Sequence, residues 1–349
     1  MNSLPNEMFS EILSFMDNHF NFALTCKHFN DVFRQFVVPS EHQIINSFKN
    51  SHPLNTIKQI INNKKSNLTV ENNEPLMVSV LQGRHDVVEL LLKDERIKVI
   101  SQANYLLLEA CINGHFEVVK LLASDPRFDI TFNHNKPFRY AVAHGHERIV
   151  DFFLSDPRIN PADFNNHSIR EAARHNHWRI LQKLLADPRT DPSALRNDAI
   201  CVAAENGSYE AVKILMRDKR VNPADYNNYA IRFASDNGHH KIVEILLTDK
   251  RVDPLESNNQ ALNLAILNNH FEVVKLLITN PKVDPSNLND KIINTAIKYG
   301  KDDIVKLLFT NHKVKSNFKY LIPEENNFMY WIKIGQIVVI IYFLIQLFK

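Results

Sequence analysis

Apolar residues recur in this chain with two nested rhythms. Within short stretches they fall three to four residues apart, the spacing of one helical face, and the stretches themselves return every 31 residues. The plainest copy is Gly114-His115-Phe116-Glu117-Val118-Val119-Lys120-Leu121-Leu122, with seven others opening at Gly83, Gly145, Asn176, Gly207, Gly238, Asn269 and Gly300. A fixed period of this length marks stacked supersecondary units, none of which buries its apolar face alone.

Seven residues before each junction stands a large apolar side chain: Leu76, Leu107, Phe138, Ile169, Ile200, Ile231, Leu262 and Ile293. Four before it stands a small one: Ser79, Ala110, Ala141, Ala172, Ala203, Ala234, Ala265 and Ala296. This stripe predicts a short inner helix whose small residues admit a close neighbour. Pairs such as Val87-Val88, Val118-Val119 and Ile242-Val243, continued by Leu-Leu, predict an outer helix. Gly or Asn at the junction predicts a positive φ or a C-cap where the chain reverses.

The connections are equally regular. In Asp156-Pro157-Arg158-Ile159-Asn160-Pro161 and its counterparts Asp187 to Pro192 and Asn280 to Pro285, the first Pro stops the outer helix and the second holds the chain extended. Asn73, Asn104, Asn135, Asn166, Asn197, Asn228 and Asn259, with Asp290 in the last copy, suit an N-cap. A second Asn before several of them suits a left-handed turn.

The units resemble ankyrin repeats, most fully through Leu107, Ala110-Cys111, Gly114-His115, Val118-Val119 and Leu121-Leu122. The family's Thr-Pro pair survives only as Pro75 and Pro137. The His that usually follows it is replaced by Met77, Leu108, Arg139, Arg170, Cys201, Arg232, Asn263 and Asn294. The resemblance implies an all-α helical-hairpin solenoid over residues 51–320, with Leu54 to Ile61 matching an outer helix alone. It further implies a protein partner held in the groove lined by variable inner-helix positions. Arg139, Tyr140, Arg170, Arg174, Arg232 and Phe233 are the candidates there, with Glu171 and Asp236 beside them and Trp178 as a further anchor.

Residues 1–50 carry their own helical pattern, with apolar positions at Met8, Phe9, Ile12, Leu13, Phe15 and Met16 and again from Phe22 to Phe33. This small N-terminal helical domain resembles an F-box, through Leu4-Pro5-Asn6-Glu7, Ile12-Leu13 and Leu24-Thr25-Cys26-Lys27-His28-Phe29. The resemblance implies a Skp-type adaptor of a cullin-based ubiquitin ligase as partner, touched by Leu4, Pro5, Ile12, Leu13, Leu24 and Phe29. The competing expectation is a helical cap for the repeats, which makes the protein a tethered scaffold with no ligase role.

After the polar break Pro323 to Asn327, residues 328–348 hold only Lys333, Gln336 and Gln346 as strongly polar groups. About 21 residues of helix span roughly the bilayer's hydrocarbon core, so a hydrophobic C-terminal anchor is expected, with Trp331, Ile334, Val338, Ile341, Phe343 and Leu347 in the membrane and the repeats in the cytosol. The alternatives are a last packing helix and a cytoplasmic protein.

Composition narrows the chemistry. With 41 basic and 39 acidic residues there is no net field to draw nucleic acid. Cys26, Cys111 and Cys201 show no CxxC spacing, which fits a reducing compartment and offers no zinc site. The N-terminus lacks a secretory pattern, so no glycosylation is expected at Asn67, Asn166 and Asn206. His115, His146, His177, His239 and His270 recur near the junctions, but equivalent residues of stacked hairpins lie about 8–10 Å apart, whereas metal ligands converge within about 2 Å. Structural hydrogen bonding is expected of them. The ladder Arg96, Arg127, Arg158, Arg189, Arg220, Arg251, Lys282 and Lys313 is offset by Asp94, Asp125, Asp156, Asp187, Asp218 and Asp249 two residues earlier, and is expected to serve the helix ends. No catalytic, cofactor or metal motif stands in a supporting context, and an enzyme is not expected.

Overall fold

The computed structural model describes residues 39–98, 103–283, 285, 288, 290–311 and 314. The F-box-like residues Leu4 to Phe29 and the tail at 328–348 lie outside the described residues. Every described element is a helix, and no strand occurs among them. The chain divides into two compact units, Met1–Ala172 with Ala186–Thr190, and Ala173–Leu185 with Asp191–Lys349.

The first unit holds α1 (Glu41–Lys49), α2 (Leu54–Asn62), α3 (Val70–Leu81), α4 (His85–Leu92), α5 (Ala103–Ile112), α6 (Phe116–Ser124), α7 (Phe132–Ala143) and α8 (Glu147–Leu154). The division falls within α9 (Asp163–Arg174) and at the end of α10 (Trp178–Ala186). The second unit continues through α11 (Ala194–Glu205), α12 (Tyr209–Leu215), α13 (Asp225–Asp236), α14 (His240–Leu246), α15 (Glu256–Leu267), α16 (Phe271–Thr279), α17 (Asp290–Lys298) and α18 (Asp302–Thr310).

Two layers run through each unit. In the first, α1, α3, α5 and α7 pack in sequence as inner helices while α2, α4, α6 and α8 pack as outer ones; in the second, α11, α13, α15 and α17 face α12, α14, α16 and α18 in the same way. The periodic stripe is the reason. The large residues from Leu76 to Ile293 and the small ones from Ser79 to Ala296 are each no more than 1% exposed. Each large side chain so buried stabilises the fold by about 2 kcal/mol, and the small row lets inner helices touch.

The stacking begins inside the N-terminal segment. Helix α1 opens with a capping box, Gln43 N donating to Ser40 Oγ and Ser40 N to Gln43 Oε1, and buries Ile44, Ile45 and Phe48 against α3. Residues 54–61 are therefore not an outer helix alone: α1 is the inner partner of α2. The boundary drawn at residue 50 divides one hairpin.

Every junction residue takes the expected left-handed conformation, from φ 56° at Asn176 and 64° at Asn269 to 77° at Gly145. The N-cap expectation is corrected. Asn135, Asn197, Asn228 and Asn259 close a left-handed turn of three residues, such as Tyr226 (φ 53°), Asn227 (55°) and Asn228 (54°), at the entrance to the inner helix. A backbone hydrogen bond seals each turn, as where Asn228 N donates to Ala224 O at 3.0 Å. The side chain is buried rather than capping: Asn197 Oδ1 accepts Asn222 N (2.8 Å) and Asn228 Oδ1 accepts Asp253 N (2.8 Å), tying each turn to the next connection.

Candidate protein-binding surface

The recurring polar residues divide into those that hold the stack together and those that face outward. The histidines belong to the first group. Nε2 of His115 donates to Leu81 O (2.9 Å), of His146 to Ile112 O (2.8 Å), of His239 to Glu205 O (3.1 Å) and of His270 to Asp236 O (2.8 Å). Each acceptor is the last residue of the preceding inner helix, whose terminal carbonyls have no partner within the helix.

The basic ladder is likewise structural. Arg127 grips Asp125 and reaches Leu92 O (2.9 Å); Arg189 grips Asp187 and reaches Ile159 O (2.8 Å); Arg251 grips Asp249 and reaches Val221 O (3.1 Å). Arg96 touches three carbonyls, of Ile61, Asn63 and Ser66, and Lys282 reaches Val252 O at 3.1 Å. Hydrogen bonding from the guanidinium holds the carboxyls of Asp94, Asp125, Asp156, Asp187, Asp218 and Asp249 below their ordinary range. Cys111 and Cys201 are free and buried, and burial pushes the Cys201 thiol up to about 12. Among the described residues no group of three or more His, Cys, Asp or Glu could hold a metal ion.

The sequence position that replaces the expected His also has internal work. Arg139 Nε donates to His134 O (2.9 Å) and its Nη2 to Asn133 O (3.0 Å), bracing the left-handed turn beneath the Phe164 ring at 4.7 Å. It is 7% exposed, so its guanidinium is not offered to a partner. Asn263 braces Asn258 O in the same manner, and Arg232 Nη2 reaches Tyr226 O at 3.4 Å. Tyr140 is half-buried and stacks on His144, with Lys136 above it. Arg170 and Arg174 are half-buried on α9. Trp178 opens α10, with Arg179 over its ring at 4.3 Å.

What faces outward in the second unit is an aromatic and arginine cluster. Tyr226, 49% exposed, stacks on Tyr229 (5.3 Å between centroids), which stacks on Phe233 (4.0 Å). Arg196 lies over Tyr226 at 4.9 Å, and Arg232 flanks Tyr229 and Phe233. Leu195, one turn earlier, is 54% exposed. Tyr229 donates to Glu205 Oε2 (3.1 Å), and burial, reinforced by that carboxylate, raises its phenol to about 12. Arg232 Nε is buried without an acceptor in the protein. Of this cluster the inner-helix pattern identifies Arg232 and Phe233 alone. The signal for the others is local: a large apolar residue at the head of a turn, Phe164, Leu195 and Tyr226, where sibling units carry Glu71, Asn133 and Ser257.

Two family models match the chain, both described as ankyrin repeats: the one with three copies over residues 169–258 and 249–320, the one with many copies over 107–154. Together they span more than half of it. The chain belongs to the ankyrin-repeat family. Ankyrin repeats are scaffolds for protein–protein interaction, and here the interhelical ladders hold the stack together. No curated protein matches the chain. Among the described residues no helix is long and apolar enough to cross a membrane.

Proposed function

We propose that this ankyrin protein is a non-catalytic scaffold that seats a protein partner on the cluster of Leu195, Arg196, Tyr226, Arg232 and Phe233. The stack of exposed Tyr226 on half-buried Tyr229 and Phe233 carries the reading. Tyr and Arg dominate interface energetics because they bury large area with few rotors to freeze and still offer polar tips. A stack already ordered before binding loses little further entropy. Tyr226→Ala with Phe233→Ala in the full chain is expected to weaken partner capture about tenfold or more, equivalent to about 1.4 kcal/mol. Undiminished capture would place the interface elsewhere.

The F-box-like residues Leu4, Pro5, Ile12, Leu13, Leu24 and Phe29 favour a second reading, in which the bound partner is delivered to a ubiquitin ligase through a Skp-type adaptor. Co-purification of the adaptor with the full chain, lost in Leu4→Ala with Ile12→Ala, supports it; no adaptor in the purified material removes it. The apolar run at 328–348 supports membrane tethering of the same scaffold, with or without the ligase role. Retention in the pellet on alkaline carbonate extraction is expected, and release into the supernatant rejects the tether.

A further inference from the structure

The arginine ladder has one rung that differs. Arg96, Arg127, Arg189, Arg220 and Arg251 each grip the Asp two residues earlier and also donate to a carbonyl of the preceding connection or outer helix. Arg158 holds Asp156 alone, at 2.7 Å, and its side chain is 58% exposed against 30–49% for the other five. The carbonyls it would reach by analogy with its siblings are those of Ala123 and Phe128. Both residues instead line an open cleft of about 690 Å³ in the first unit.

The lining of the cleft is net acidic. Asp125, Asp129 and Asp156 line it; Asp125 is paired with Arg127 and Asp156 with Arg158, while Asp129 has no cation of its own among the described residues, its Oδ1 accepting Thr131 N (2.9 Å) and Thr131 Oγ1 (2.7 Å). It opens at the C-terminal ends of α6 and α8, where the helix dipoles concentrate partial negative charge. The ring of Phe152 adds an aromatic wall suited to a guanidinium. In the sibling rungs the same slot, formed by the same connection, is filled by the protein's own guanidinium, which identifies the chemistry that fits.

We propose that this cleft is a docking site for an arginine side chain of a partner polypeptide, which takes the place that the guanidinium occupies in the sibling repeats. The proposal rests on the reading of the chain as a protein-binding scaffold, but the cleft is tested directly and apart from the Tyr226 cluster. The probe is N-acetyl-arginine N-methylamide, with its citrulline counterpart as the neutral isostere, titrated into the full chain and followed by backbone amide NMR.

The arginine probe is expected to shift the amides of Phe128, Asp129 and Arg158, and the citrulline probe to leave them in place. Asp129→Asn weakens binding about threefold, the worth of one partly exposed charge pair. Asp191→Asn, the equivalent carboxylate beside the filled Arg220 rung, leaves it unchanged, as does Tyr226→Ala. Arg158→Ala removes the competing cation and tightens binding. Equal shifts from both probes, or shifts centred elsewhere, overturn the proposal. Binding seen only in Arg158→Ala also overturns it, because Arg158 then fills its own slot in solution.

Discussion

The imidazole of His146 lies where a side chain on Gly114 would have to go: a Cβ built there would stand 2.5 Å from the ring. The same ring, through Nε2, holds the carbonyl of Ile112 at 2.8 Å. Glycine at this junction therefore serves both a φ of 73° and the histidine of the next repeat. Gly83 meets His115, Gly207 meets His239 and Gly238 meets His270 in the same way. Where the junction is Asn, the partner changes. After Asn176 stands Ser208, whose Oγ donates to Arg174 O (2.8 Å), and after Asn269 stands Lys301, whose Nζ donates to Leu267 O and also reaches Ile266 O (3.1 Å). The carbonyl keeps a donor, and the smaller or more flexible side chain leaves room for a Cβ.

Gly114→Ala is accordingly expected to cost about 2–3 kcal/mol, from the left-handed backbone and the displaced histidine bond. Paired with His146→Ser, the total should fall short of the sum of the single changes by about 1 kcal/mol. Urea unfolding of the four proteins of this cycle measures it; strict additivity would show that ring and junction are independent.

Asn197 separates backbone from side chain. Its φ is 59°, its Nδ2 donates to Asp225 Oδ2 (2.9 Å) and its Oδ1 accepts Asn222 N (2.8 Å). Asn197→Gly loses the two bonds and keeps the conformation, at about 2 kcal/mol. Asn197→Ala adds the left-handed penalty, so it should be the less stable of the pair by about 1 kcal/mol. That ranking reverses the ordinary helix preference for Ala over Gly. Thermal or urea unfolding that ranks Gly below Ala would contradict the left-handed turn.

Ala234, fully buried on α13, packs where α11 and α15 approach from either side. Ala234→Leu overfills the contact and should cost about 3 kcal/mol or more, at the upper end for an added side chain in a packed core. A variant that melts with the parent would mean that the inner helices are not in register.

Acid should loosen the stack. The ladder aspartates are held below their ordinary value because each ionised carboxylate accepts hydrogen bonds from its arginine. The folded chain thus binds fewer protons than the unfolded one in that range. The stabilisation is complete above the unfolded value of about 3.9 and is lost as pH falls through the lower, folded values. Melting temperature followed from about pH 5 to about pH 2 should drop steeply, and Asp125→Asn with Asp187→Asn should flatten the drop. Parallel profiles would remove the ladder from the account.

The helices, their two layers and the buried stripe are legible in the sequence because burial imposes a period, and Ile231 or Ala234 can be placed from spacing alone. The histidine and arginine bonds were expected as structure, though not which carbonyls they reach, since those acceptors lie in the preceding repeat. In the turn at Tyr226 to Asn228 the left-handed conformation of Asn227 is legible in the sequence, but the role of Asn228 is not, because Asn serves an N-cap and a left-handed turn equally well and only the neighbouring loop decides between them. Arg139 illustrates the limit for the surface: a charged residue at a variable position reads as outward-facing, yet its donors face the carbonyls of its own turn.

The residues that hold the repeats together are distinct from those proposed to meet a partner, and one comparison tests that separation most directly. Partner capture and melting temperature are measured side by side for Tyr226→Ala with Phe233→Ala and for His146→Ala in the full chain. The first is expected to lose capture with melting changed little, and the second to lower melting while capture at permissive temperature is kept. The opposite assignment, with His146→Ala abolishing capture of a folded chain and the aromatic pair dispensable, would contradict it.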